Sequence, residues 1–111
     1  MRSFVWIGCA AALLFGEGVQ AASVENGKRV YMQAGCWQCH GTVGQGAVSG
    51  PRIAPDPMPQ EALAAFLRSS SRAMPPYRES VLSNAEVADI HAYLLSIPRP
   101  PDVKDLPLLN Q

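Results

Sequence analysis

Cys36-Trp37-Gln38-Cys39-His40 is the stretch of this 111-residue chain whose residue types and spacing can do chemistry. Two thiols three positions apart fall on the same side of a helical turn, and an imidazole follows directly. Cys-x-x-Cys-His is the attachment signature of c-type haem. The two sulfurs add across the haem vinyl groups as thioethers, and His40 lies beneath the iron as proximal ligand. A glycine stands on each side, Gly35 and Gly41. Three other readings compete. A thioredoxin-type redox pair needs a βαβ context, and the sequence offers no convincing strand. A zinc site from Cys36, Cys39, His40 and His91 has the right count, but adjacent ligands are poor geometry and no second Cys-x-x-Cys follows. The blandest reading is a chance match with no chemistry. Haem attachment accounts for most of the facts.

An electron-carrying haem usually fills both axial positions, and methionine opposite histidine raises the potential. Met32 precedes the motif on the same helix and reads as packing. Met58 lies in Pro55-Asp56-Pro57-Met58-Pro59, 18 residues after His40, and Met74 lies in Arg72-Ala73-Met74-Pro75-Pro76-Tyr77, 34 residues after. A loop ligand must be held rigidly, and the Pro-Pro pair after Met74 fixes the backbone there. Met74 is therefore the expected sixth ligand. His91 falls within a helical pattern that reads as core. Arg52 is a candidate for a haem propionate, against a solvated loop arginine. Arg72 and Tyr77 flank Met74 and read either the same way or as a docking rim. Trp37 is expected near the haem edge.

These residues must be positioned by short elements. Residues 24–34 read as a helix with Val24, Gly27, Tyr31 and Ala34 on one face. A second helix runs from about Pro59 to Arg68, with Leu63, Phe66 and Leu67 inward. The last opens with a Ser83-x-x-Glu86 capping box. It carries a stripe of Val87, Ile90, Leu94 and Ile97 with Tyr93 at its margin, and Pro98 ends it. Residues 41–57 are a Gly/Pro-rich loop. The expected class is all-α: three to four short helices and long loops around one covalently bound haem. A cofactor-free helical bundle would leave the Cys-x-x-Cys-His and the glycine loop unexplained.

Length limits the chain to one domain. Nine basic and nine acidic residues give zero formal charge, which argues against nucleic-acid binding. Arg2, the 12-residue apolar run Phe4–Phe15 and Val19-Gln20-Ala21 read as a secretory signal peptide, residues 1–21. The run is shorter than the ~20 residues a spanning helix needs, so no membrane insertion is expected after cleavage. Cleavage removes Cys9 and leaves Cys36 and Cys39 in an oxidising compartment. Residues 22–97 form the domain, and residues 98–111 a Pro-rich tail with Leu106, Leu108 and Leu109. These leucines are expected to pack on the domain's own surface or to dock on a partner.

The whole region after residue 21 resembles class I cytochrome c. Gly27-x-x-x-Tyr31 resembles that family's N-terminal helix, where glycine lets the C-terminal helix cross closely, and Ile90, Tyr93 and Leu94 match the partner positions. Gly50-Pro51-Arg52-Ile53 resembles the loop after the haem site. By that resemblance the Pro51 carbonyl accepts the Nδ1–H of His40, and Met74 matches the axial methionine. Locally, Pro59 to Pro75, above all Arg72-Ala73-Met74-Pro75, is similar to the cytochrome subunit of p-cresol methylhydroxylase, a small cytochrome docked on a flavoprotein dehydrogenase.

The expected function is periplasmic one-electron transfer by haem c, with no bond-making chemistry of the chain's own. The expected donor is a periplasmic dehydrogenase, of which the chain could be a subunit. The expected acceptor is another cytochrome or a terminal oxidase. Net neutrality predicts weak electrostatic steering. The alternative is a haem enzyme or gas sensor with an open sixth position.

Overall fold

The computed structural model describes residues 20–109. The signal-peptide reading, with Arg2 and Cys9, lies almost wholly outside these residues. Four helices follow in order: α1 (Val24–Gln33), α2 (Trp37–His40), α3 (Gln60–Ser69) and α4 (Asn84–Ser96). One-turn 3₁₀ helices occur at Val103–Asp105 and Pro107–Leu109. No strand forms among the described residues; the only pairing there is a single bridge between Ala47 and Gly50. The class is all-α, as the periodicities indicate.

Local chemistry sets the helix ends. The Ser23 hydroxyl accepts from the Asn26 N–H and caps α1. Ser83 and Glu86 cap α4 reciprocally, as the S-x-x-E pattern requires. Pro59 stands at the N-cap of α3 and donates nothing, which costs little where an N–H would have no partner. At the end of α1 the Gly35 N–H reaches the Met32 carbonyl and the Cys36 N–H reaches that of Tyr31, at 3.2 Å each. With Gly35 at φ +79°, this is the left-handed stop that ends a helix in one residue. It delivers the chain straight into Cys36.

α1 and α4 cross in direct contact. A Cβ on Gly27 would stand 1.9 Å from the Asp89 carbonyl oxygen and 2.9 Å from the Tyr93 Cβ. The Asp89 carboxylate closes the same crossing by accepting from the Ser23 N–H and the Asn26 side chain, each at 2.6 Å. Tyr31 and Tyr93 meet with ring centroids 5.5 Å apart at 58°, an edge-inclined contact that aromatic rings favour. The core is Val30, Tyr31, Ala54, Leu67, Leu82, Val87, Ile90, Tyr93 and Leu94.

Three expected faces need correction. Val24 is exposed, and Val30 takes the buried place beside Gly27 and Tyr31. A helix crossing at Gly27 buries the residues one turn on, Val30 and Tyr31, not the exposed first residue. Tyr93 is core, not margin, because it packs on Tyr31. Phe66 is 46% exposed, while Leu67 carries the burial of α3. Leu106 is half-buried, but Leu108 and Leu109 are exposed, so those two do not pack on the domain's surface.

The crossing yields a quantitative expectation. Gly27→Ala must push two backbones apart, and overpacking of this kind costs ~3 kcal/mol or more. A domain of this size then loses roughly 12–24 °C in Tm. Thermal unfolding of the haem-loaded protein checks it, and an unchanged Tm would mean the helices do not cross as described.

Candidate haem site

α2 is a single turn, yet it holds both thiols. Cys36 is its helical N-cap, and the His40 N–H bonds the Cys36 carbonyl at 3.0 Å. Cys36 and Cys39 both line one cavity of about 790 Å³, within the ~300–1,000 Å³ typical of ligand sites. Cys36 is half-buried and packs on the core, while Cys39 is exposed. Burial pushes the Cys36 thiol up to about 11. A thiol held protonated is unlike the thiolate of an exchange-active pair.

Gly41 ends the turn at φ 77°, ψ 164°, a combination essentially reserved for glycine. The chain then doubles back. The Gly46 N–H bonds the His40 carbonyl at 2.8 Å, and the Gly44 carbonyl accepts from Ile53 and Ala54 at 2.9 and 3.0 Å. Two core tyrosines clamp the start of this loop: Tyr31 Oη donates to the Gly41 carbonyl at 2.7 Å and Tyr93 Oη to that of Thr42 at 3.0 Å. The α1–α4 crossing thus fixes the backbone next to His40. Burial raises the pKa of both phenols, so the fold favours their neutral, donating forms. Their contribution is complete below the ordinary value of 10.0 and is lost as pH rises above it. Tyr93→Phe should flatten the alkaline fall in stability, read by denaturant melts between neutral pH and pH ~11.

His40 is 9% exposed and lines the cavity. Its Nδ1 lies 2.8 Å from the Pro51 carbonyl oxygen. A carbonyl only accepts, so in the neutral ring Nδ1 carries the proton and Nε2 has the lone pair. That is the tautomer a metal-binding imidazole needs, oriented by its second nitrogen. Gly50 makes this approach possible. A Cβ there would meet the Cys39 carbonyl oxygen at 2.8 Å and His40 Nδ1 at 3.1 Å. Gly50→Ala should cost about 1–3 kcal/mol and speed exchange of the His40 Nδ1 proton, seen by NMR. An unchanged exchange rate would separate Gly50 from the ring.

Met74 is half-buried, packs on the core and lines the same cavity. The buried Ser70 hydroxyl donates to the Met74 carbonyl at 2.7 Å. The Tyr77 N–H bonds the Leu67 carbonyl at 2.7 Å, and Tyr77 Oη donates to that of Ala34 at 2.8 Å. Arg68 spans from the Tyr77 carbonyl to Asn84, at 2.9 Å each. The loop is therefore tied to α1, α3 and α4. Tyr77 spends its hydroxyl on Ala34, not on a carboxylate in the cavity.

Cys36, Cys39, His40, Pro51 and Met74 are brought together on one cavity. Met58 and Phe66 also line it; Arg52, Trp37, Met32 and His91 do not. His91 is on α4 and does not line the cavity with the thiols, and among the described residues no three His, Cys, Asp or Glu side chains are grouped to hold a metal ion, so the four-ligand zinc set is not assembled. Arg52 is exposed. Ser70, Gly50 and the two tyrosine clamps were not singled out as site residues by sequence; only the Gly-Pro dipeptide at 50–51 hinted at one of them.

The family model described as cytochrome C oxidase, cbb3-type, subunit III matches residues 22–94. The chain belongs to this cytochrome c family. Cytochromes of this kind hold haem c covalently through cysteine, and Cys36 and Cys39 are the cysteines among the described residues. The donor set fits: two thiols on one turn, an imidazole with a free lone pair, and a cavity lined largely by apolar and neutral side chains. The cytochrome works in haem-based electron transfer with redox partner proteins. Searches of curated proteins and of solved structures return no match, so the narrower likeness to the p-cresol methylhydroxylase cytochrome rests on the local motif alone. No helix among the described residues is long and apolar enough to cross a membrane.

Proposed function

We propose that this cytochrome is a periplasmic one-electron carrier with His40 and Met74 as axial ligands. It would be exported by a leader spanning residues 1–21, with the haem domain at 22–97 and a tail at 98–111. The observation that carries the reading is the single cavity on which the Cys36–His40 turn and the tethered Met74 loop both open. When bound, haem c supplies an iron that alternates between Fe(III) and Fe(II). The chain's part is to hold that iron's surroundings still. Pro51 fixes the His40 ring and supports its basicity. Ser70, Tyr77 and Arg68 anchor the Met74 loop, and Pro75-Pro76 stiffen it. Ligands that stay in place in both oxidation states keep the cost of electron exchange low.

The donor we propose is a periplasmic dehydrogenase, supported by the local similarity of Arg72-Ala73-Met74-Pro75 to a flavoprotein-docked cytochrome. The acceptor is a second cytochrome or a terminal oxidase. Residues 30–51, which include the thioether turn, contain no Asp, Glu, Lys or Arg. Trp37, Val43 and Val48 are exposed in that stretch. Docking through this face would depend little on salt, since fields from charged side chains there are absent. The test is a potentiometric titration followed by electron exchange with a small-molecule reductant of either charge sign. A single one-electron wave and rates that vary little with ionic strength support the carrier. A multi-electron wave, or turnover of a small substrate, would favour the enzyme reading.

A further inference from the structure

Haem carries two propionates, so the cavity that receives it must meet negative charge. Carboxylates near a low-dielectric site are costly unless paired. Among the described residues that line the cavity, Arg72 is the only Asp, Glu, Lys or Arg side chain. The other polar side chains around it are neutral, among them Gln33, Gln38, Ser49, Ser69 and Ser71. Arg72 makes no hydrogen bond or ion pair within the described fold. Other arginines are engaged or elsewhere. Arg29 binds Asn26 and Gln33, Arg68 binds Tyr77 and Asn84, and Arg99 binds Asp56. Arg52, Arg72 and Arg78 are all exposed, and of the three only Arg72 lines the cavity.

We propose that Arg72 is the cation that pairs with a haem propionate and thereby raises the midpoint potential of the bound iron. This rests on the haem-carrier reading above and assigns a residue to the cofactor edge that the cysteines do not reach. Its position is built. The Ser70-to-Met74 hydrogen bond spans Arg72, so the backbone that carries the guanidinium is pinned on both sides. A planar guanidinium matches a carboxylate through two parallel hydrogen bonds. The same anchored loop therefore supplies both the axial sulfur and the counter-charge. The sign follows from Coulomb's law. A positive charge near the iron, or one that neutralises a nearby carboxylate, favours Fe(II) over Fe(III). Arg72→Gln removes it and lowers the potential.

The experiment is spectroelectrochemistry of the full haem-loaded chain, with Arg72→Gln, Arg72→Lys, Arg78→Gln and Arg52→Gln in parallel. Each is first checked for covalent haem and for the methionine–iron(III) absorption band. At the wild-type midpoint, Arg72→Gln should raise the oxidised-to-reduced ratio by on the order of tenfold, as expected for a unit charge about 10 Å away at an effective dielectric of 20. Arg72→Lys should restore most of it, and Arg78→Gln, the same charge change on a residue that does not line the cavity, should leave it unmoved. The oxidised-minus-reduced infrared difference spectrum should show a carboxylate band displaced in Arg72→Gln alone. An intact band with unshifted potential and infrared spectrum overturns the role of Arg72 and leaves the carrier standing. So does a shift that appears in Arg52→Gln instead. Loss of covalent haem or of the methionine band in the wild-type chain overturns the carrier reading and this proposal with it.

Discussion

Replacing Cys36 and Cys39 together by alanine will reduce covalently bound haem from one per chain to none. Each thiol supplies one thioether, so nothing else in the described chain can hold the porphyrin after denaturation. The single variants will differ. Cys36 is half-buried and packs against the core beside Tyr31 and Tyr77, whereas Cys39 is exposed. Cys36→Ala removes core contact as well as a bond, so it should lose more stability, by ~1 kcal/mol or more. Mass spectrometry of the intact chain, before and after acid treatment, reads the covalent mass directly. Retention of the full haem mass in the double variant would mean that another residue carries the attachment. The effect reaches past the bond. Leu67, Leu82, Ile90 and Leu94 are core residues that also line the cavity, so haem and core are one packed unit and the double variant should be the least stable of the set.

Met74→Ala carries the second large effect. In the proposed carrier, carbon monoxide must displace the Met74 sulfur before it can bind ferrous iron. Its apparent affinity is then reduced by the fraction of time the position is open. If that fraction is about 1%, removing the sulfur raises the affinity on the order of a hundredfold. The potential should fall at the same time, since methionine opposite histidine favours the reduced state. Met74 also packs against the core, and truncating it should cost roughly 2 kcal/mol. Met58 lines the same cavity but lies outside the tethered loop, with 42% of its surface exposed. Met58→Ala should leave the iron band and the carbon monoxide affinity near wild type. The two titrations together decide between the methionines. Reversed results would move the sixth ligand to Met58.

Much of this was legible because chemistry here is written locally. Cys-x-x-Cys-His needs one turn, and a turn is a short-range object. The Ser83–Glu86 box and the stop at Pro98 are likewise decided within four residues. What periodicity misjudged was set by contacts far apart in sequence. Val30 displaces Val24 because Gly27 places the crossing with Asp89 where it does. Tyr93 moves into the core because Tyr31, 62 positions earlier, packs edge-inclined against it. The Pro51 acceptor is implied by the family resemblance alone, and its oxygen stands 2.8 Å from His40 Nδ1. Neither periodicity nor spacing contains that contact, since it depends on a 10-residue loop folding back through Gly44 and Gly46. Arg52 is a propionate candidate that the sequence sets against a solvated loop arginine, and it is exposed and off the cavity lining. The sequence offers Arg72 either as a propionate partner or as part of a docking rim, and its solitude among the cavity's charges appears only when the lining is assembled in space.

The most direct test of the central claim is the visible absorption spectrum of the purified haem-loaded protein, oxidised and reduced, with carbon monoxide added to the reduced form. The His40–Met74 carrier predicts sharp low-spin c-type bands, a weak long-wavelength methionine–iron(III) band, and no change on adding carbon monoxide. A high-spin spectrum with a prompt carbon monoxide shift would contradict it and place an open coordination position in this cavity.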